Sequence, residues 1–457
     1  MDDPRLLHLE TLLRQRSPQT AAALAAALGV SQPTLSRLIA AAGERIVRIG
    51  RARASRYALA RAIGRAGTRW PVYRLGPDGR SERVGELRAL YGEGFHFAPE
   101  RPLPAFLAPP FADGRFPGLP WFLDDQRPQG FLGRAFARRV AADIGAPTDL
   151  LRWQADDVVL ALLRHGSDAP GDLVLGESAL QRALQDRLSP PAAIPVEARA
   201  QHYAALAETV LHGELVGSSA AGEQPKFTAL LRVAEGHHAV IVKFSERTDT
   251  PGGRRWADLL ACEHLAGEAL RAAGLPAAHS ALLDADGRRF LQSLRFDRTP
   301  ALGRRGLVSL AALDAACHGH GRIEWWKYAT QLERERWLAA EDAHRLRVLG
   351  WFGVLIANSD MHLGNVALHL DDTRPLALCP AYDMLPMHFR PSAGGEVVPR
   401  EYAVVLPAPE HRDDWHAAAR IAHRFWQHAA DATMISPAFR AIAAGAAAAL
   451  THAIARV

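Results

Sequence analysis

Leucines at positions 6, 9, 12 and 13 recur at the spacing of one helical face and predict a helix over 4–16, which Ser17-Pro18 ends. A second short helix is expected over 20–28, then a turn at Gly29-Val30-Ser31. Ser31 suits the N-cap of a third helix that buries Leu35 and Leu38 and tolerates Pro33 in its first turn. Two short strands follow, over 46–49 and 55–59, then a linker near 60–69. Strands over 72–75 and 82–87 flank the turn signal Pro77-Asp78-Gly79. Residues 70–135 read as β-rich and irregular; the stretch 98–133, dense in Pro, Gly and aromatics, is expected to pack. A helix over 156–164 and a strand over 171–176 precede a proline-marked boundary at 190–195. Beyond it lie a helix over 202–213, strands over 228–233 and 239–244, a helix over 256–273 and a strand over 290–296. From 307 onward the periodicity is helical, over 307–316, 340–356, 415–430 and 441–455. The pattern gives an α+β chain divided as 1–62, 70–190, 198–298 and 299–457.

Composition narrows this. The 457 residues are 48% hydrophobic and 23% charged, as in ordinary globular domains with sizeable cores. Cys262, Cys317 and Cys379 are isolated, match no metal-ligand spacing and point to a reducing compartment. No run approaches 18 apolar residues, so a cytoplasmic chain with no membrane contact is expected. The formal charge is +5, and residues 1–60 alone hold nine Arg against four Asp/Glu, so the whole excess sits at the N-terminus. A local polyanion partner accounts for that placement. Helix, Gly turn, helix and basic hairpin are the grammar of a winged helix-turn-helix. Gln32, Thr34, Ser36 and Arg37 would face DNA from the third helix, and Arg51, Arg53 and Arg56 from the wing. The competing reading is a small protein-interaction module with a solvated hairpin.

The chemistry gathers near residue 360. Asp360 and Asn365 stand five apart, as in the Asp-x-x-x-x-Asn of a kinase catalytic loop, and Asp383 follows 18 residues later. One carboxylate can deprotonate a hydroxyl. An amide oxygen and a second carboxylate suit Mg2+, which takes hard oxygen ligands. Lys243, one of three lysines, sits mid-strand among apolar residues, where an unpaired cation is costly. The next helix offers Glu263 and Glu268 as partners. The small-residue loop around Ala220, Ala221 and Gly222 could bring backbone N–H groups to phosphates, although it lacks the P-loop motif and a plain surface turn also explains it. The backbone of Arg295-Phe296-Asp297-Arg298 is placed to meet adenine.

Together, Ser219-x-x-Gly-x-Gln-x-Lys226, Val242-Lys243, Glu263, Arg295-Phe-Asp-Arg298, Asn358-x-Asp-x-His-x-x-Asn365 and Tyr382-Asp-x-Leu-Pro386 resemble the HipA family of bacterial serine/threonine-protein kinase toxins. The separate N-terminal unit resembles the YjjJ-like branch, whose chain carries its own DNA-binding domain. The resemblance implies a bilobal protein-kinase-like fold, with a β-rich small lobe and a mostly helical large lobe. It implies Asp360 as base, Asn365 and Asp383 as magnesium ligands, Lys243 on the ATP phosphates pinned by Glu263, His362 beside the nucleotide and Ser219 as an autophosphorylated serine. A phosphate at Ser219 would expel its loop from beside the ATP phosphates. The family's substrates are aminoacyl-tRNA synthetases, and the resemblance leaves room for a homodimer. Two rival functions are a DNA-binding transcription regulator whose kinase fold only senses nucleotide, and a small-molecule kinase that shares the Asp-x-x-x-x-Asn loop.

Overall fold

A computed structural model describes residues 3–50, 54–92, 94–190, 192–214 and 224–457. The chain opens with α1 (Pro4–Gln15), β1 (Gln19–Thr20), α2 (Ala21–Leu28), α3 (Gln32–Ala42), β2 (Ile46–Ile49) and β3 (Arg56–Leu59). Leu6, Leu9 and Leu13 of α1 bury against Leu24 of α2 and Leu35 and Leu38 of α3. Gly29 ends α2 in the left-handed region (φ 62°), and the Ser31 hydroxyl accepts from the Thr34 N–H at the start of α3. The strands pair in the order β1-β3-β2.

Residues 60–69 are not a linker. Ala60 bridges to Leu90, Ile63 is buried, and the Arg61 guanidinium meets the Asp156 carboxylate (Nη2–Oδ1 2.8 Å). Arg14 also stacks over the Tyr91 ring at 5.0 Å. A buried apolar side chain and a cation that finds a half-exposed carboxylate hold the N-terminal unit on its neighbour.

That neighbour contains β4 (Arg69–Leu75), β5 (Ser81–Leu90), β6 (Gly94–Pro99), β7 (Arg115–Phe116), α4 (Trp121–Asp124), α5 (Gly130–Ile144), α6 (Ala155–His165), β8 (Leu173–Leu175) and α7 (Glu177–Leu188). Its sheet runs β7-β6-β5-β4-β8. The aromatic stretch packs as expected, with Phe106 and Phe122 rings 4.6 Å apart. The region is more helical than its sequence suggests: α5 and α7 stand where no helix is expected.

A second five-stranded sheet follows: β9 (Ile194–Pro195), α8 (Arg199–Glu214), β10 (Lys226–Val233), β11 (Gly236–Phe244), α9 (Pro251–Ala272), β12 (Ser280–Ala285) and β13 (Arg288–Leu294), in the order β12-β13-β11-β10-β9. Val240, Val242 and Phe244 of β11 join Tyr203 of α8 in one core. The two-residue alternation of a strand therefore turns Lys243 to the opposite face, toward α9.

The remainder is mainly helical: β14 (Val308–Ser309), α10 (Leu310–Cys317), α11 (Trp325–Arg334), α12 (Ala340–Leu355), β15 (Ala367–His369), β16 (Ala377–Leu378), α13 (Arg412–Asp431) and α14 (Pro437–Ile454). Its core is continuous with that of the first five-stranded unit, where Trp121 meets Trp337 edge-on at 5.8 Å. Among the described residues no helix is long and apolar enough to cross a membrane.

Candidate active site

The site is built where α12 ends. Leu346, Phe352, Leu355 and Ile356 are buried, which fixes the helix in the core. The last-turn carbonyl of Leu355 accepts from Tyr402 Oη (2.7 Å) and Trp426 Nε1 (3.0 Å). Ala357 then takes a left-handed conformation (φ 58°) and turns the chain out of the helix.

Asn358, buried at this turn, ties the next segments together. Its Oδ1 accepts from the Asp360 N–H (3.0 Å), and its Nδ2 donates to the Asp383 carbonyl (3.3 Å). The Asn365 Nδ2 donates to the Asp360 carbonyl (2.9 Å), and Tyr382 Oη donates to the Gly364 carbonyl (2.8 Å). Two of these hydrogen bonds fold 358–365 on itself, and the other two hold it against 382–383. Asp360 is left exposed, and Asn365 is buried with its amide oxygen free of any bond to its own loop. The His362 Nδ1 accepts from the Gly364 N–H (3.1 Å), which leaves Nε2 to carry the proton on an exposed ring.

Lys243 faces this loop from β11. Its Nζ donates to both Glu263 oxygens (2.7 and 2.8 Å) and to Asp383 Oδ1 (2.5 Å). Burial pulls the ammonium's pKa down, but Asp383 and Glu263 outweigh it and hold the pKa above the ordinary lysine value. Burial raises Glu263, with Lys243 opposing, whereas Lys243 and then Lys226 outweigh burial at Asp383 and hold it low. Lys226 stands opposite Lys243 in the β10–β11 register. Glu268, the other candidate partner on α9, lies 3.6 Å from His264 instead.

The helix that presents Glu263 is fastened to the helical part of the chain. Asp258 accepts from the Ser436 N–H (2.8 Å) and Oγ (2.6 Å), and Arg255 Nη1 donates to the Phe389 carbonyl (3.0 Å). At Gly252 an added Cβ would lie 2.6 Å from the Gly395 carbonyl oxygen, so only glycine permits that approach.

The Arg295–Arg298 segment does something its sequence does not show. The Phe296 ring lies 5.6 Å from that of Tyr382, and its carbonyl accepts from Arg305 Nη1 (3.4 Å). The charged side chains point elsewhere. Arg295 clasps Asp297 (2.9 Å) and Asp168 (3.0 Å), and Arg298 clasps the same two acids (2.6 and 3.0 Å). Asp297 Oδ2 also accepts from the Gly171 N–H (3.0 Å). The segment is a staple between the two five-stranded units. Burial would raise Asp297, but the two arginines hold it far below the carboxylate range.

On the N-terminal unit, Gln32, Ser36 and Arg37 are exposed on α3 and Arg56 on β3. Thr34 is half-buried, and its hydroxyl meets the exposed Ser31 Oγ (3.0 Å) and accepts from the exposed Arg37 Nη2 (3.3 Å). Arg51, Arg53, Ser219, Ala220, Ala221 and Gly222 lie outside the described residues. Asn358 and Tyr382 belong to the motifs read from the sequence but have no task there; Asn358 stands two residues before Asp360, and nothing in the string reveals both of its bonds. Asp168 carries no local signal.

The donor set fits magnesium. Asn365 spends its nitrogen within the loop and keeps its oxygen, and Asp383 gives one oxygen to Lys243 and keeps the other. Among the described residues there is no group of three or more His, Cys, Asp or Glu that could hold a metal ion.

Comparison with known proteins adds to this geometry. A family model for the middle domain of YjjJ-like toxins matches residues 66–184, and one for the HipA-like C-terminal domain matches residues 218–454. The toxin YjjJ of Escherichia coli (strain K12) is 37% identical over 437 residues, 95% of each chain. Among solved structures, a chain from the Shewanella oneidensis MR-1 complex of HipA, HipB and operator DNA superposes with a TM-score of 0.52 at 17% identity, covering 85% of this chain and 97% of its own. That likeness shows a shared fold. The proinflammatory kinase CtkA of Helicobacter pylori aligns more loosely, with a TM-score of 0.36 at 12% identity over 53% of this chain and 91% of its own.

Proposed function

The chain belongs to the HipA-like toxin family, in its YjjJ-like branch, and from that premise we propose that it is an ATP- and Mg2+-dependent protein serine/threonine kinase with its own DNA-binding domain. The observation that carries the reading is the Lys243 ammonium held between Glu263 and Asp383, with Asn358 tying Asp383 to the Asp360 loop. Lys243 would grip the ATP phosphates, and Glu263 would keep it aimed. Asn365 and Asp383 would hold the metal through their free oxygens. Bound ATP supplies the phosphoryl group, and magnesium neutralises its charge. Asp360, exposed at the mouth, would orient the substrate hydroxyl and take its proton. His362 and Phe296 would line the nucleotide, with the backbone of 220–222 over its phosphates. Ser219 would be the autophosphorylation site, and the protein substrate would be of the aminoacyl-tRNA synthetase class that the family resemblance implies.

In the same reading, residues 1–62 form a winged helix-turn-helix that binds DNA through α3 and the basic hairpin. Residues 70–190 form the middle subdomain, 198–298 the small lobe and 299–457 the large lobe of a cytoplasmic enzyme. The test compares wild type with Asp360→Asn for transfer of labelled γ-phosphate to Ser219 and to protein substrate. Equal labelling removes Asp360 from the role of base. Magnesium-dependent ATP binding with no turnover in the wild type would favour a nucleotide-sensing transcription regulator.

A further inference from the structure

Residues 396–408 run without a turn or bend. From 400 to 405 their side chains alternate. Arg400, Tyr402 and Val404 turn inward: Arg400 Nη1 donates to the His388 carbonyl, Tyr402 Oη donates to the Leu355 carbonyl (2.7 Å), and Val404 packs on the main core. Glu401, Ala403 and Val405 are exposed. This is the two-residue period of a β-strand, in which the main-chain groups of odd and even residues point to opposite edges.

The odd edge is occupied. The Glu401 carbonyl accepts from His388 Nε2 (3.0 Å), and the Val405 carbonyl accepts from Trp415 Nε1 (2.9 Å). The even edge is open. The main-chain N–H and C=O groups of residues 402, 404 and 406 make no hydrogen bond among the described residues. Buried main-chain groups almost always find partners, so a row of groups without any faces solvent. Pro399 and Pro407, which have no N–H, confine the open run to 400–406. Three of the seven exposed large hydrophobic residues among those described, Val398, Val405 and Leu406, gather here. Scattered singly they need no explanation; beside an open edge they mark a contact surface.

The strip is fastened to the loop of the candidate active site. Tyr402 holds the Leu355 carbonyl, and His388, which holds Glu401, donates its own N–H to the Ala357 carbonyl (3.0 Å). Leu355 and Ala357 stand five and three positions before Asp360.

Resting on the kinase reading above, we infer that residues 400–406 dock the protein substrate. An extended segment of that substrate lies along the open edge as an added strand. It exchanges main-chain hydrogen bonds with residues 402, 404 and 406 and sets apolar side chains against Val405 and Leu406, which carries its serine or threonine toward Asp360. A polypeptide backbone is the ligand that matches alternating donors and acceptors at strand spacing. The position beside Asp360 favours the chain to be phosphorylated over a second copy of this one.

The test uses the full chain and a fluorescein-labelled peptide in which Thr and Val alternate on either side of one Ser. Binding is followed by anisotropy, and labelled γ-phosphate is followed on the peptide and on Ser219. The wild type binds the peptide saturably and labels its serine. Leu406→Pro removes an N–H from the open edge and weakens binding by about tenfold or more, whereas Ala403→Pro removes one from the other edge and changes binding by less than about twofold. The same peptide N-methylated throughout does not bind the wild type, a result that stands even if Leu406→Pro does not fold. Undiminished binding by Leu406→Pro or of the N-methylated peptide overturns the docking strip. Label on Ser219 without peptide binding overturns the strip and spares the kinase reading. Binding with no label anywhere overturns the kinase reading and leaves a peptide site of another use. Dimerisation abolished by Leu406→Pro, in place of peptide binding, gives the edge to a second copy and overturns the substrate as its occupant.

Discussion

Two buried charge clusters lie on either side of residue 296, and their ion pairs are arranged differently. Around Lys243 two carboxylates share one ammonium. Around Asp297 two carboxylates are shared by two arginines, with a third arginine close behind. Both clusters carry the expense of desolvated charge. The first keeps one Asp383 oxygen and the Asn365 amide oxygen free of its own bonds, and in the second every carboxylate of the Arg295–Arg298 staple is shared between two arginines. In the reading proposed above, the first is a site that would take a metal and phosphates and the second a joint that holds two units together.

Substitutions at the two clusters should therefore fail differently. The largest effect is at the cleft: Asp360→Asn should cut phosphoryl transfer by about 10²–10⁴-fold, with an unchanged unfolding midpoint because the side chain is exposed. A variant that loses both activity and stability would place Asp360 in the scaffold. Next is the joint, where Asp297→Asn leaves two buried guanidiniums with Asp168 as their one shared carboxylate. It should lower stability by about 3–5 kcal/mol in denaturant titration, while any folded fraction keeps its ATP affinity.

The joint also has a pH signature. Its arginines hold Asp297 below the usual carboxylate range, so its stabilisation is complete above about pH 4 and drains as acidification passes through the depressed value. Wild type and Asp297→Asn should converge in acid and separate toward neutrality; parallel curves would show that Asp297 is not the group responsible. Asn358→Ala should lower kcat by about 10–100-fold through misplacement, with little change in the KM for ATP. The smallest effect lies outside both clusters. Arg51, Arg53 and Arg56 changed to Ala should flatten the salt dependence of DNA binding by about 0.9 per lost phosphate contact; an unchanged slope removes the wing from the interface.

What could be seen in advance follows the same division. The loop from Asp360 to Asn365 was legible because its groups lie within a few positions and their chemistry fixes the spacing. Lys243 was legible because a cation in an apolar strand demands a partner. Helices α1 and α3 announced themselves through leucine periodicity and a serine cap. The Arg295–Arg298 staple was not legible, since its counter-charge, Asp168, lies more than a hundred residues earlier. Helix α5 was hidden by Gly130 and Gly133. The second of these is there because a Cβ would sit 2.6 Å from the Pro128 carbonyl carbon, a packing need with no helical signal. Strand β12 has no apolar alternation and owes its form to pairing with β13.

The backbone of Asp383 lies in the left-handed region, at φ 58°. Asp and Asn tolerate that conformation through their short polar side chains, and most other residues lose about 1–2 kcal/mol there. An alanine at 383 therefore removes a carboxylate and also pulls the peptide toward another shape, which Asn358 and Lys243 would both feel. Anyone wanting an inert form for crystals or for trapping partners should choose asparagine, which changes the charge and leaves the main chain alone.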